Sequence, residues 1–274
     1  MTAPVPAAPA PRVGFVGWGP ASAAVLETLA RSHPAVAAGA CWFEGLPPHA
    51  PGSPPRPIPS VEALFAAADF VFLEASPAEA ERLLPLMRLS VSDRHTLVLL
   101  HAEWRLEAVL RHLHERKLVR CLVQRFDPPR AAALAYHASP FLDAADVAAF
   151  RALFADLELV LELESEAGFD VVQALAGIAP AIYSTVMDAL ADGALVLGLP
   201  RHQAARFLAA TLLGAVRGIV DGDTTPGELR ERALEGAYSA AGLMEFETSG
   251  VRGVLMRVVQ RALQGQPPRG RPED

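Results

Sequence analysis

The stretch Val13 to Ser22, VGFVGWGPAS, decides the fold. A short apolar strand runs into two glycines one residue apart and then into an alanine-rich helix. This is the form of a dinucleotide-binding turn. Gly17 makes the tight turn, Gly19 lets backbone approach a pyrophosphate, and Ser22 is the third small residue, allowing close helix–strand packing. Backbone N–H groups at the helix start then hold the phosphates. Small residues also occur in ordinary strand–helix turns, so the reading draws its weight from its position at the head of a strand–turn–helix pattern. Trp18, Pro20 and Ala21 complete the turn. Pro20 removes one N–H and Trp18 adds bulk beside the phosphates, so cofactor binding is expected in modified form.

The rest of the chain limits what surrounds this turn. Its 274 residues suit two modest domains or one large one. A net charge of −7 lacks the basic footprint of a nucleic-acid binder. Half the residues are hydrophobic (51%), yet the longest uncharged stretch, Val171 to Met187, is interrupted by Gln173, Pro180, Ser184 and Thr185. A helix buried in an interface explains it better than a membrane span. The two cysteines, Cys41 and Cys121, each sit in an apolar run and read as inert core thiols, and no histidine spacing suggests a metal site. Residues 1–11 form a Pro/Ala tail without the features of a secretion signal, and residues 265–274 form a second polar, Pro-rich tail. The expected compartment is the cytoplasm.

The first half alternates strands and helices. Strands are expected at Arg12 to Gly17, Gly39 to Phe43, Asp69 to Ala75, Thr96 to Leu100 and Leu118 to Val123. Helices are expected at Ala21 to Ser32, Val61 to Ala67, Ala78 to Arg88 and Leu106 to Arg116, with a Pro-rich loop, LPPHAPGSPPRPIPS, after the second strand. This order implies an α/β Rossmann-type parallel sheet with right-handed crossovers, over residues 12–165. After about Ser139 the pattern changes: Ala144 to Asp156 is helical, Leu157 to Leu163 alternates as one more strand, and from Phe169 onward helical periodicity dominates. Breaks fall at Gly198-Leu-Pro200, around Asp221 to Glu228, and near Glu247 to Gly250. Residues 166–264 therefore form an all-helical unit so apolar that it implies an intertwined homodimer.

The order of these pieces resembles the pyrroline-5-carboxylate reductase family, from about Arg12 to Leu263. The resemblance is carried by GFVGWGPAS, by ADFVFLEASP (Ala68 to Pro77), and by FDVVQALAGIAPAIYSTVMDALADGALVLGLPRHQA (Phe169 to Ala204). The last is similar to the opening of the family's dimerisation domain. TPGELRERALEGAYSAAGL (Thr225 to Leu243) resembles its substrate-binding block. The resemblance implies dimerisation through the C-terminal helices, higher oligomers being left open, and hydride transfer from NAD(P)H to the C=N bond of a cyclic imine. Asp170 matches an acidic position of the family's long helix and is expected to cap or brace it.

The departures from the family pattern cluster where chemistry is expected. Ser76 stands where the family has lysine before Pro77, and Glu74 occupies a position that is usually small and apolar, altering the electrostatics near the nicotinamide. After the fourth strand the small family residues become His101-Ala-Glu-Trp104. After the fifth, an asparagine becomes Asp127. In the substrate block Glu235, Gly236, Ala237, Tyr238 and Ser239 replace a loop whose N–H groups and hydroxyls grip a carboxylate in the family. Glu235 would repel that carboxylate, Ala237 adopts positive φ less readily than glycine, and Ser239 keeps a hydroxyl. Unmodified pyrroline-5-carboxylate is therefore a doubtful substrate.

An imine that arrives as an iminium needs alignment and exclusion of water more than acid catalysis. For a less basic imine or a ketone a proton donor gains importance, and Tyr183, Tyr238 and His101 are the candidates. Tyr183 reads first as a helix tyrosine packed at the dimer interface, and His101 as a hydrogen-bonded core or rim histidine. Ala75, Ser76, Pro77 and His101 complete the expected cofactor wall. Glu44, after the second strand, would bond a ribose 2′-hydroxyl and repel a 2′-phosphate, leaning towards NADH, unless it is a solvated turn residue. The remaining candidate site residues carry no metal-ligand spacing; His33, His112, His114, His137 and His202 read as surface histidines. The favoured reading is an imine reductase acting on a modified or larger substrate. The alternative is a homologue that kept fold and dimer, lost turnover, and serves as a binding or regulatory protein. A hydroxy-acid or amino-acid dehydrogenase is disfavoured, because the single lysine, Lys117, lies on the Rossmann side.

Overall fold

A computed structural model of the chain describes residues 10–49, 53–125 and 132–265. These fall into two compact units, the first ending at Phe169 and the second beginning at Asp170. The first contains β1 (Val13–Val16), α1 (Pro20–Ser32), α2 (Pro34–Ala38), β2 (Cys41–Phe43), β3 (Arg56–Ile58), α3 (Val61–Ala67), β4 (Phe70–Leu73) and α4 (Pro77–Ala80). It continues through α5 (Leu84–Ser90), β5 (Thr96–Leu99), α6 (Leu106–Leu113), β6 (Lys117–Arg125), β7 (Ala132–Ala138), α7 (Ala144–Ala152) and β8 (Leu159–Glu162). The strands form one sheet in the order β3-β2-β1-β4-β5-β6-β7-β8.

The central strands are buried along their whole length, as a sheet covered on both faces requires. Side-chain alternation divides the core in two. Val16, Val71, Leu73, Leu97 and Leu99 join Leu64, Phe65, Met87 and Val109 on one face. Phe15, Phe72 and Val98 join Val25, Leu29, Phe150 and Phe154 on the other. Cys41 and Cys121 are both buried. Burial raises their pKa values and keeps the thiols protonated, in keeping with inert core residues.

Four features differ from the sequence expectation, the first being the short helix α2, which forms where no element was expected. The Pro-rich loop after β2 contains the short edge strand β3, paired in parallel with β2. The helix expected over Ala78 to Arg88 is two helices, α4 and α5. Pro85 in the first turn of α5 has no N–H for the carbonyl four residues earlier, so a continuous helix would break there. A seventh strand, β7, was not expected, and it runs antiparallel to β6. The link from Arg125 to Ala132 is far shorter than the roughly dozen residues a parallel crossover needs. β8 then pairs in parallel with β7.

The amino ends of β1 and β4 are tied together by charge. Arg12 donates to Asp69 through Nε (3.0 Å) and Nη2 (2.7 Å), and Arg94 Nη1 reaches the same carboxylate at 2.7 Å. The hydrogen bonds from Arg12 hold the Asp69 carboxyl below its ordinary value, and the charge of Arg94 adds to the shift. A depressed folded value gives stability that is fully present above the unfolded value, about 3.9, and is lost as pH falls through the folded one. Both arginines are about half exposed (50% and 43%), so the contribution is about 1 kcal/mol. Asp69→Asn is expected to lower the urea midpoint at pH 7. The difference from the parent should shrink as pH falls below about 4. A difference that stays constant down to pH 2.5 would rule out the ion pairs as its source.

The second unit holds the rest of α8 (Glu166–Val196), then α9 (Arg201–Val220), α10 (Pro226–Ala233), α11 (Ala237–Thr248) and α12 (Val251–Gln264). Ser165 starts α8 by accepting the Gly168 N–H. Asp170 therefore lies a turn inside the helix, where it is buried, and does not cap it. Thr225 and Glu228 form a capping box at α10, with Pro226 in its first turn. α8, α9 and α11 end at the expected breaks, where Gly198, Gly222 and Gly250 have positive φ, whereas the break between α10 and α11 was not expected from the periodicity. By length and composition α8 and α9 could each cross a membrane, with mean hydropathies of 1.4 and 1.2. Their apolar side chains are largely uncovered in the single chain: Val196 is more than four-fifths exposed, and Phe207 and Leu213 about seven-tenths.

Candidate functional site

β1 sits between β2 and β4, so the strand order reverses beside it. The crevice at the carboxyl ends of β1 and β4 is where open α/β sheets bind ligands. The chain leaves β1 through Gly17, whose φ is +82°. A Cβ there would stand 2.6 Å from the Ala75 backbone nitrogen, so glycine is required by conformation and by space. Gly19 is the N-cap of α1 and Pro20 begins the helix. Ser22 is buried, and its hydroxyl faces the Gly17 carbonyl at 3.4 Å. Trp18 differs from expectation. It is buried, with its ring edge-on to Phe15 at 5.4 Å, and so belongs to the core more than to a phosphate pocket. Its indole N–H has no acceptor among the described residues.

The helix start is already occupied by an anion from the chain itself. Glu74, the residue after β4, extends its carboxylate across the crevice. Oε2 accepts the N–H of Gly19 (2.9 Å) and of Ser22 (2.7 Å), and Oε1 accepts the N–H of Ala21 (2.9 Å). Pro20 has no N–H, and Ala23 donates to the Gly19 carbonyl. From Gly19 to Ala23, every backbone N–H is therefore engaged. The three hydrogen bonds and the positive end of the α1 dipole hold the Glu74 side chain in this place.

The segment after β2 closes the same turn from the other side. Leu46 is buried against the core, and His49 donates its backbone N–H to the Trp18 carbonyl at 2.6 Å. The His49 ring lies 3.1 Å from Glu79 of α4. Between these groups remains a cavity of about 240 Å3 lined by Gly19, Pro20, Pro47, His49, Glu74 and His101 among others. That is below the usual range for small-molecule sites, about 300–1,000 Å3. A larger hollow of about 570 Å3 lies by α3 and α5 at the amino end of the sheet. Two of its polar side chains are committed elsewhere: Arg94 to Asp69, and His95 to the Phe65 carbonyl.

The other expected cofactor residues are placed as follows. Ala75 bonds through its backbone to Val16 and accepts the Trp104 indole N–H at 2.8 Å. Ser76 forms a capping box with Glu79 at the start of α4, and Pro77 is in the first turn of that helix. His101 follows β5 and lines the cavity. Glu44 is exposed at the end of β2, where its N–H bonds to the Ile58 carbonyl.

In the substrate block, α10 ends at Ala233 and α11 begins at Ala237, so Ala237, Tyr238 and Ser239 belong to a first helical turn and Ala237 needs no positive φ. Ser239 donates its hydroxyl to the carbonyls of Ala233 and Gly236. Glu235 is exposed, Tyr238 is almost fully exposed, and Tyr183 is 60% exposed. Asp127 lies outside the described residues.

Two groups near the crevice escaped the sequence reading. Arg120 of β6 is buried, with its guanidinium 4.3 Å over the Phe169 ring, 3.6 Å from Glu166 and bonded to the Ala102 carbonyl just after His101. The signal was one arginine inside an otherwise apolar strand. His49 was the other, read as part of a proline-rich loop. His137, read as a surface residue, lies on β7 and bonds to the Leu163 carbonyl.

With Glu74 seated, the turn does not fit the pyrophosphate of a dinucleotide. The N–H donors are taken, and a second anion beside the carboxylate would meet like charge without compensation. The geometry of an anion cradle is nevertheless intact, because a carboxylate satisfies three of its donors at hydrogen-bonding distances.

Strand order, turn and helical second unit define the class: a Rossmann-type α/β protein with a C-terminal helical unit. Residues 166–266 match the family described as pyrroline-5-carboxylate reductase dimerisation. Pyrroline-5-carboxylate reductase 2 of Rattus norvegicus is 28% identical over 90% of this chain and 80% of its own length. The Pseudomonas aeruginosa pyrroline-5-carboxylate reductase is 26% identical over 93% of this chain and 95% of its own. Among solved structures, the Coxiella burnetii pyrroline-5-carboxylate reductase shares the fold at a TM-score of 0.77 and 19% identity, covering 93% of this chain and 97% of that one. The Plasmodium falciparum pyrroline carboxylate reductase, solved with NADP bound, does so at 0.72 and 17%, covering 93% and 96%. The chain is thus similar to pyrroline-5-carboxylate reductases along most of its length, and its residues 166–266 carry the match to that family's dimerisation model.

Proposed function

We propose that the chain is an oxidoreductase of the pyrroline-5-carboxylate reductase type that reduces the C=N bond of a cyclic imine, with NAD(P)H as the reductant. The observation that carries this reading is the anion cradle at the crevice between β1 and β4, in a chain whose relatives carry that reductase name. The chemistry asks the protein to align the imine carbon and exclude water. The altered block around Glu235 to Ser239 favours an imine other than unmodified pyrroline-5-carboxylate. Self-association through residues 166–266 belongs to the same proposal, since it covers the exposed apolar faces of α8 and α9.

A second reading has specific support. A turn filled by Glu74, together with a Ser239 hydroxyl committed to its own backbone, suits a homologue that kept the scaffold and lost turnover. Titration with NADH and NADPH, followed by nicotinamide fluorescence and an assay with pyrroline-5-carboxylate and larger cyclic imines, separates the two. The reductase reading expects dinucleotide binding and oxidation of NAD(P)H dependent on the imine. Absence of oxidation with every imine, in the parent and in variants lacking the Glu74 carboxylate, would leave the second reading standing. The exposed Glu44 leads to an expected preference for NADH, and tighter binding of NADPH would overturn that role.

A further inference from the structure

We infer that Glu74 is a built-in competitor for the dinucleotide: its carboxylate stands in for the pyrophosphate and keeps the cofactor turn closed until a ligand displaces it. Three observations converge. The carboxylate bonds to the N–H groups of Gly19, Ala21 and Ser22, the donors that a turn of this kind presents to phosphate. The fit is tight enough that a Cβ on Gly19 would lie only 2.4 Å from Glu74 Oε1, so no ligand atom enters between turn and carboxylate. The segment after β2 reinforces the closure through the His49–Trp18 backbone bond and the contact of the His49 ring with Glu79 of α4. The ligand class that opens the site is an organic pyrophosphate, which can replace the carboxylate donor for donor, and the part that moves is the Glu74 side chain. Glu74 thus sets the affinity of the site for its cofactor. The inference rests on the reductase reading for the identity of that cofactor.

The test measures binding of NADH, NADPH and ADP to the purified full chain and to Glu74→Ala, Glu74→Gln and His49→Ala. Glu74→Ala frees three N–H groups and removes a negative charge, so its affinity for all three probes should rise at least about tenfold. Glu74→Gln keeps the shape but turns an amide N–H2 towards backbone donors, and a smaller gain is expected. It also serves as the folding control should the alanine variant prove unstable. His49→Ala should add a gain that shrinks when combined with Glu74→Ala, since both act on one closure. Equal affinities of the parent, Glu74→Ala and Glu74→Gln for the three probes would overturn the inference, as would failure of both folded variants to bind any of them. Tighter dinucleotide binding by Glu74→Ala without reduction of any imine would sink the reductase reading and leave the closure in place. Imine reduction by the parent, with affinities unchanged by the substitutions, would do the reverse.

Discussion

Phe72→Ala is expected to destabilise the first unit by about 3–5 kcal/mol, the loss seen when a large buried aromatic is truncated. Phe72 is fully buried on β4, which pairs with β1 on one side and β5 on the other. Its ring stacks on Phe15, with centroids 5.4 Å apart and planes 25° off parallel, and meets Phe154 edge-on at 6.4 Å. Truncation removes the transfer free energy of the ring and these aromatic contacts, and opens a cavity between two layers that cannot both collapse into it. All three tryptophans, Trp18, Trp42 and Trp104, lie in the first unit, so urea unfolding followed by their fluorescence reports on it. An unchanged midpoint would mean that Phe72 is not in the core. Phe72→Leu, which keeps most of the volume, should lose much less.

Gly17→Val should cost about 3 kcal/mol or more, for two separable reasons. A branched side chain is strained at φ +82°, and its Cβ would enter space held by the Ala75 backbone. Gly17→Asn distinguishes them. Asparagine tolerates the left-handed region but still carries a Cβ, so if the 2.6 Å approach to Ala75 matters, asparagine is rejected nearly as strongly as valine. Full stability of the asparagine variant, read from the same urea curves, would assign the requirement to φ alone. The close approach joins the turn after β1 to the residue next to Glu74.

The Rossmann order was legible because its signals are local. Apolar runs of strand length, small residues at the first turn and punctuation by Pro226, Gly198 and Gly250 all point to the elements observed. The misses had local causes too. β3 is three residues long and has proline at its centre, so it looked like loop. β7, AALAYHA, is rich in alanine and lacks the β-branched residues that mark strands. The candidate site was legible in part. Glu74 stood out as a charge in a small apolar position, and Pro20 as a missing donor. What sequence does not encode locally is how far a glutamate reaches, and Glu74 ends on the helix start rather than near the nicotinamide. In the same way Trp18 has the bulk that was expected but turns it into the core, and Ser239 bonds within its own helix start. Side-chain direction follows from packing between distant segments, which adjacent residues do not specify.

An open sheet of eight strands has two free margins, and both are poor templates for another strand. At one, β3 carries Pro57, which lacks an N–H to offer. At the other, β8 is flanked and capped by Glu158, Glu162 and Glu164, so a second copy laid alongside would bring acidic side chains against acidic side chains. Growth of the sheet from chain to chain is discouraged at both ends. The exposed apolar faces of α8 and α9 are left as the larger uncovered apolar surface, so association of copies, if it follows these faces, need not extend the sheet.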